Sequence, residues 1–167
     1  MRNVNANRGR AARRARHDRS KGLSRPPDPG YVVRNGGSGT AVPRILIIDD
    51  AKLVRDILRQ FLTKAGHEVI EADDGVRGAE IYIQSAPDLV ICDLVMPNKD
   101  GLETLRELRR ADPAAKVIMI SGGVPENNAE NIQAAHDLGA IALLPKPFAR
   151  AKLLEAVATA LQQHGVT

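Results

Sequence analysis

The chain has 167 residues, a formal net charge of +4, 43% hydrophobic and 2% aromatic content, and one cysteine. Such a length suits one ordinary domain with a tail, its core built from Leu, Ile, Val and Ala, and a single cysteine excludes an internal disulfide framework and fits a reducing, cytoplasmic setting. Apolar runs of five or six residues fall far short of the roughly 20 needed to cross a bilayer, and the basic N-terminus lacks the apolar stretch of a secretory signal, so no membrane span is expected.

The net charge averages two unlike regions. Residues 1–43 hold ten Lys/Arg against two Asp, whereas residues 44–167 hold fourteen Lys/Arg against eighteen Asp/Glu. Pro26-Pro27-Asp28-Pro29-Gly30 and Gly36-Gly37-Ser38-Gly39 resist regular structure, so residues 1–43 are predicted to be a basic, linker-like extension. Arg8, Arg10, Arg13, Arg14, Arg16 and Arg19 place enough positive charge within residues 8–19 to neutralise phosphates on nucleic acid or anionic lipid. The plainer alternative is a solvated terminus without a partner.

From Arg44 onward, strand and helix patterns alternate, as in a doubly wound parallel sheet. The first strand, 44–49, carries the unbroken apolar run Ile45–Ile48, as expected when helices cover both faces. A helix over 51–65 repeats Leu53, Val54, Ile57, Leu58, Phe61 and Leu62 and stops at Gly66. A strand over 67–72, a helix over 75–85 and a strand over 88–92 follow. The loop 96–101 then leads into a helix carrying Leu102, Leu105 and Leu108, which ends at Asp112-Pro113. The fourth strand is predicted at 116–120, its helix at 126–138, and the fifth strand at 140–144. A last helix starts near Pro147-Phe148 and repeats Leu153, Leu154, Val157, Ala158 and Leu161.

Four of the strands end on polar or charged residues: Asp49 and Asp50, Asp93, Ser121, and Lys146 after Pro145. In an open α/β sheet these ends line one crevice. Three carboxylates packed there would repel by roughly 3 kcal/mol per pair at ~5 Å and an effective dielectric of about 20. Hard oxygen donors with room for water suit Mg²⁺; for Asp49-Asp50 alone, a helix cap is the competing role. A carboxylate such as Asp93 can take a phosphoryl group as an aspartyl-phosphate. The charge spread over the moving group's three equatorial oxygens would then meet Mg²⁺, the Lys146 ammonium, and the Ser121 hydroxyl with nearby amides.

Taken in order, Asp49-Asp50, Asp93-Leu94-Val95-Met96-Pro97 with Gly101 downstream, Ser121-Gly122 and Lys146-Pro147-Phe148 resemble the receiver domain of two-component response regulators, of the single-domain chemotaxis-regulator type. The resemblance covers about residues 44–164 and implies a flavodoxin-like five-stranded sheet in the order 2-1-3-4-5, flanked by five helices. It implies Asp93 as phosphoacceptor, Asp50 as a direct Mg²⁺ ligand, Asp49 acting largely through water, and the Val95 carbonyl completing the protein's share of the shell. Ser121 would report the phosphoryl group and Lys146 would pair with it. The implied partners are a sensor histidine kinase or phosphotransfer protein as donor and a downstream protein target, with phosphorylation-dependent dimerisation as a further mode of switching. Output is expected at the fourth-helix and fifth-strand face or through the N-terminal tail, because no second folded domain is expected after residue 164.

Three departures from the family pattern bear on mechanism. Leu143 stands three residues before the lysine, where the family often has an aromatic. Val95 and Gly123, two residues past Asp93 and Ser121, offer no side chain to hold an attacking water, so slow self-dephosphorylation is expected. Residues 123–128 lengthen the stretch between Ser121 and Lys146. Three rival classes are a phosphorylation-independent docking receiver, a nucleic-acid-associated protein acting through the tail, and an aspartate-nucleophile phosphatase. The last typically needs an Asp where Val95 stands, so a signalling protein rather than an enzyme is expected. Cys92 reads as a packed small side chain. His17, His67, His136 and His164 lack zinc-ligand spacing, and no phosphate-binding or dinucleotide glycine motif follows the first strand.

Overall fold

A computed structural model describes residues 42–122 and 129–163 of the chain. The basic extension up to residue 41, residues 123–128 and the last four residues lie outside that range, and with them the proposed Arg cluster, His17, Gly123 and His164. Five strands alternate with five helices: β1 Arg44–Ile48, α1 Lys52–Lys64, β2 Glu68–Ala72, α2 Gly75–Ser85, β3 Leu89–Asp93, α3 Gly101–Ala111, β4 Val117–Ser121, α4 Ala129–Asp137, β5 Ala142–Pro145 and α5 Arg150–Gln162. All strand pairs are parallel and the order is β2-β1-β3-β4-β5, as the resemblance implied. The chain steps from β1 outward to β2, then back across β1 to β3, which opens a crevice beyond the carboxyl ends of β1 and β3.

Strand alternation splits the core into two layers. Leu46, Ile48, Val90, Cys92, Val117 and Met119 pack with Ala79, Tyr82, Leu102, Leu105, Leu108 and Ala135 of α2, α3 and α4. Ile45, Ile47, Leu89, Ile91, Ile118 and Ile120 face Leu58, Leu62, Leu153, Val157 and Ala160 of α1 and α5. With both faces covered, β1, β3 and β4 can be apolar throughout, and this solvent-free sheet is the platform that holds charged residues at its edge.

Local chemistry sets the helix limits. Asp74 and Asp100 cap α2 and α3 by accepting from the backbone N–H of Arg77 and Glu103, both at 2.7 Å. Gly66 and Gly139 follow α1 and α4 at φ +90° and +84°, where a side chain would be strained.

Two expectations are corrected. α5 begins at Arg150 rather than at Pro147-Phe148, because Ala149 keeps extended backbone (φ −73°, ψ 142°) as the residue before the helix. Leu53 and Ile57 are 73% and 38% exposed; the sheet reaches only the Leu58 and Leu62 side of α1, leaving the outer edge of its apolar stripe in water. The predicted start of the fourth helix at 126 lies outside the described residues, and the remaining boundaries differ by one or two residues, as helix and strand ends do.

Candidate functional site

β3 and β4 end on Asp93 and Ser121, and Asp49 and Lys146 come directly after β1 and β5. Register sets Ile48 beside Cys92, Asp93 beside Ile120, and Ser121 beside Pro145, so the residues that follow β1 and β5 flank the ends of β3 and β4. Asp49, Asp93 and Ser121 are buried, while Asp50 is exposed. Carboxylate oxygens of Asp49, Asp50 and Asp93 all lie within 4.8 Å of one another. Among the described residues this is the one cluster of three or more potential metal ligands; His67 and His136 belong to no such group.

Lys146 crosses the cluster. Its Nζ donates to Asp93 Oδ2 at 2.7 Å and to Asp49 Oδ2 at 2.9 Å. The ammonium stays charged: burial is the largest influence and pulls its pKa down, but the Asp93 and Asp49 bonds and charges outweigh it, and the net shift is upward. Its own N–H donates to the Ser121 carbonyl at 2.7 Å, tying the lysine to the end of β4. The Lys146–Pro147 peptide is cis.

Asp49 and Asp93 are held differently. Asp49 spends one oxygen on the Ala51 N–H at 2.8 Å and the other on Lys146. Asp93 gives Oδ2 to Lys146, whereas its buried Oδ1 has no hydrogen-bond partner. Desolvation pushes the Asp93 carboxyl above the usual range, and the Asp49 charge adds to that; Lys146 and the Val95 N–H oppose it. An ionised carboxylate with a water-excluded, unsatisfied oxygen is poised for a cation or an electrophile, since an unmade buried hydrogen bond costs about 1–3 kcal/mol.

The loop after Asp93 is packed closely beneath. Gly101 opens α3 and donates to the Leu94 carbonyl at 3.0 Å. A Cβ at Gly101 would lie 2.1 Å from the Asp93 carbonyl oxygen and 2.8 Å from the Leu94 Cα. Only glycine therefore lets α3 approach the strand end that carries Asp93. Val95 points outward, 58% exposed, and cannot hold a water with its side chain.

The other sequence candidates fall as expected. Cys92 is fully buried and its thiol is pushed up, first by burial and then by the charges of Asp93 and Asp49, which makes it inert packing. Leu143 packs against the α2–α4 core layer. A cavity of about 320 Å³ at the opposite, amino-terminal ends of the strands is lined by Pro43, Tyr82, Asp112, Lys116 and Leu161, and shares no residue with the cluster.

One residue escaped the sequence reading. Arg55 of α1 folds back so that its Nη1 donates to the Asp49 carbonyl at 2.7 Å and the Asp50 carbonyl at 3.1 Å. The available signal was an arginine one helical turn after an acidic pair, since helical side chains lean toward the N-terminus.

Fold and cluster together define a doubly wound domain of the receiver type, with the acidic cluster and Lys146 at the strand ends beside the β1/β3 switch point. Residues 45–158 match the model of the response regulator receiver domain. The chain belongs to this family of two-component signalling proteins. It is 40% identical over 116 residues to the chemotaxis protein CheY of Bacillus subtilis, covering 68% of this chain and 93% of that protein. It is also 40% identical over 115 residues to protein CcdB of the same organism, with the same two coverages of 68% and 93%. A receiver-domain crystal structure from Clostridium thermocellum superposes with a TM-score of 0.68 at 30% identity, covering 72% of this chain and 94% of that one.

Proposed function

We propose that this chain is a phosphorylation-switched response regulator in which Asp93 accepts a phosphoryl group from the phosphohistidine of a sensor kinase or phosphotransfer protein. The receiver would occupy residues 44–164 behind the basic extension 1–43, and the protein would act in the cytoplasm. One observation carries this reading: Asp93 has one oxygen neutralised by Lys146 at 2.7 Å and the other buried and unpartnered. The Asp93 carboxylate is the nucleophile. As its bond to phosphorus forms, the phosphorus–nitrogen bond of the donor breaks, and the electron pair leaves with the imidazole.

The donor set suits a hard divalent cation, three carboxylates within 4.8 Å with an unsatisfied buried oxygen among them. Mg²⁺ would be held by Asp49, Asp50, Asp93 and the Val95 carbonyl, and when bound it supplies positive charge against the phosphoryl oxygens. Lys146 supplies a second, permanent positive charge from the β5 side. Ser121 offers its hydroxyl to the phosphoryl group from the end of β4, and the bond from the Lys146 N–H to its carbonyl joins the two responses. Output follows at α4 and β5, where only Ala135 of α4 is fully buried and little packing opposes a population shift. Leu143 makes that switch an aliphatic one.

Acetyl phosphate with and without Mg²⁺, followed by intact mass, tests the reading. A Mg²⁺-dependent gain of one phosphoryl group, lost in Asp93→Asn, is the expected result. A folded, metal-bound protein that gains none would leave a docking receiver that works without phosphorylation.

A further inference from the structure

We infer that Arg55 is a positioning residue for the cation-binding pair, fixing the backbone from which Asp49 and Asp50 project. The inference rests on the cation site proposed above. Arg55 is largely buried, its side chain 14% exposed, and one nitrogen holds two consecutive carbonyls, those of Asp49 at 2.7 Å and Asp50 at 3.1 Å. Its Nε faces Glu71 at 3.4 Å, and Arg59 grips the other Glu71 oxygen at 2.9 Å. Glu71 stands on β2 opposite Ile47, so the guanidinium braces the turn after β1 against the neighbouring strand.

The brace matters most for Asp50. Asp49 is already held through its carboxylate by Ala51 and Lys146. The Asp50 carboxylate makes no hydrogen bond or ion pair among the described residues, so its place is set by its main chain, which Arg55 holds. A positive charge this near a cation site opposes cation binding, and Glu71 offsets it. Charge and positioning therefore predict opposite outcomes when the guanidinium is removed. If Arg55 acts only as a charge, Arg55→Met binds Mg²⁺ more tightly; if it positions the pair, binding weakens.

Calorimetric titration of the full chain with Mg²⁺, well below the melting temperature and with circular dichroism confirming the fold, separates the two. Arg55→Met is expected to weaken Mg²⁺ binding about 10-fold, the loss usual for a residue that orients metal ligands. Arg55→Lys keeps the charge but not the forked donor and should recover only part of that loss. Arg77→Met, which removes an exposed ion pair on α2, should bind as the wild type does. Equal or tighter binding by folded Arg55→Met overturns the inference. Should that variant not fold, wild-type affinity in Arg55→Lys overturns it instead. A wild-type chain that binds no Mg²⁺ overturns the cation site itself, and the inference with it, and is recognisable as that separate failure.

Discussion

Gly101→Ala tests how tightly the loop after Asp93 is built. The added methyl would start 2.1 Å from the Asp93 carbonyl oxygen, 2.8 Å from the Leu94 Cα and 2.8 Å from the Met119 methyl. Ordinary carbon–oxygen contacts begin near 3.3 Å, so α3 or the end of β3 must move by about 1 Å. Two of the three obstacles are backbone and cannot rotate aside. Overpacking of this kind costs about 1–3 kcal/mol, and the better helix propensity of alanine returns at most about 1 kcal/mol. A net loss of about 2 kcal/mol lowers the melting temperature by roughly 8 °C for a domain of this size. Because the displaced atom belongs to Asp93 itself, Mg²⁺ affinity and phosphoryl acceptance should fall along with stability. Gly66→Ala is the matched control: nothing lies within 4 Å of its Cβ, and it pays only for φ +90°, about 1 kcal/mol. Thermal melts of both variants, with and without Mg²⁺, decide the matter. A Gly101→Ala protein melting within about 2 °C of wild type and phosphorylated normally would refute the reasoning.

Other outcomes follow from the cluster's charges. Burial raises the Asp93 carboxyl above its unfolded value, so the native state holds that proton more tightly. Its share of metal-free stability is therefore present below the unfolded value of about 4 and is lost as pH rises through the native one. Asp93→Asn should accordingly raise the neutral-pH urea midpoint in chelator, with the gap closing on acidification; a less stable Asn variant at neutral pH would contradict this. Lys146→Met leaves Asp49 and Asp93 facing each other without a counterion. Since the Lys146 side chain is 22% exposed, the cost falls at the lower end for a broken buried pair, about 3 kcal/mol without metal, and added Mg²⁺ should recover much of it in denaturant titrations. With an outward apolar Val95, the phosphorylated form should persist for minutes or longer in a time course by intact mass. Decay within seconds would show that water is positioned by some other group.

The strands and their covering helices were legible because burial on both sides of the sheet demands unbroken apolar runs, as in Ile45–Ile48 and Leu89–Cys92. The polar residues ending those runs were legible too, since a carboxylate after a fully apolar strand has few structural reasons to be there. Helix limits were less so. α5 starts late because 146–149 is spent on delivering Lys146 to the crevice, and the outer stripe of α1 stays wet because the sheet covers only one side of that helix.

By itself the sequence determined the alternation of elements, the apolar platform and the placing of Asp49, Asp50, Asp93, Ser121 and Lys146 after the apolar runs, because period and residue chemistry are local properties. Only the tertiary structure decided that Lys146 bridges Asp49 and Asp93, that one Asp93 oxygen is left buried and unpartnered, that Gly101 has no room for a Cβ, and that Arg55 holds the acidic pair from behind. The Lys146 bridge and the solvent exclusion at Asp93 depend on distances between segments up to 97 residues apart. Such distances are set by how strands register and helices pack, and no local pattern encodes them.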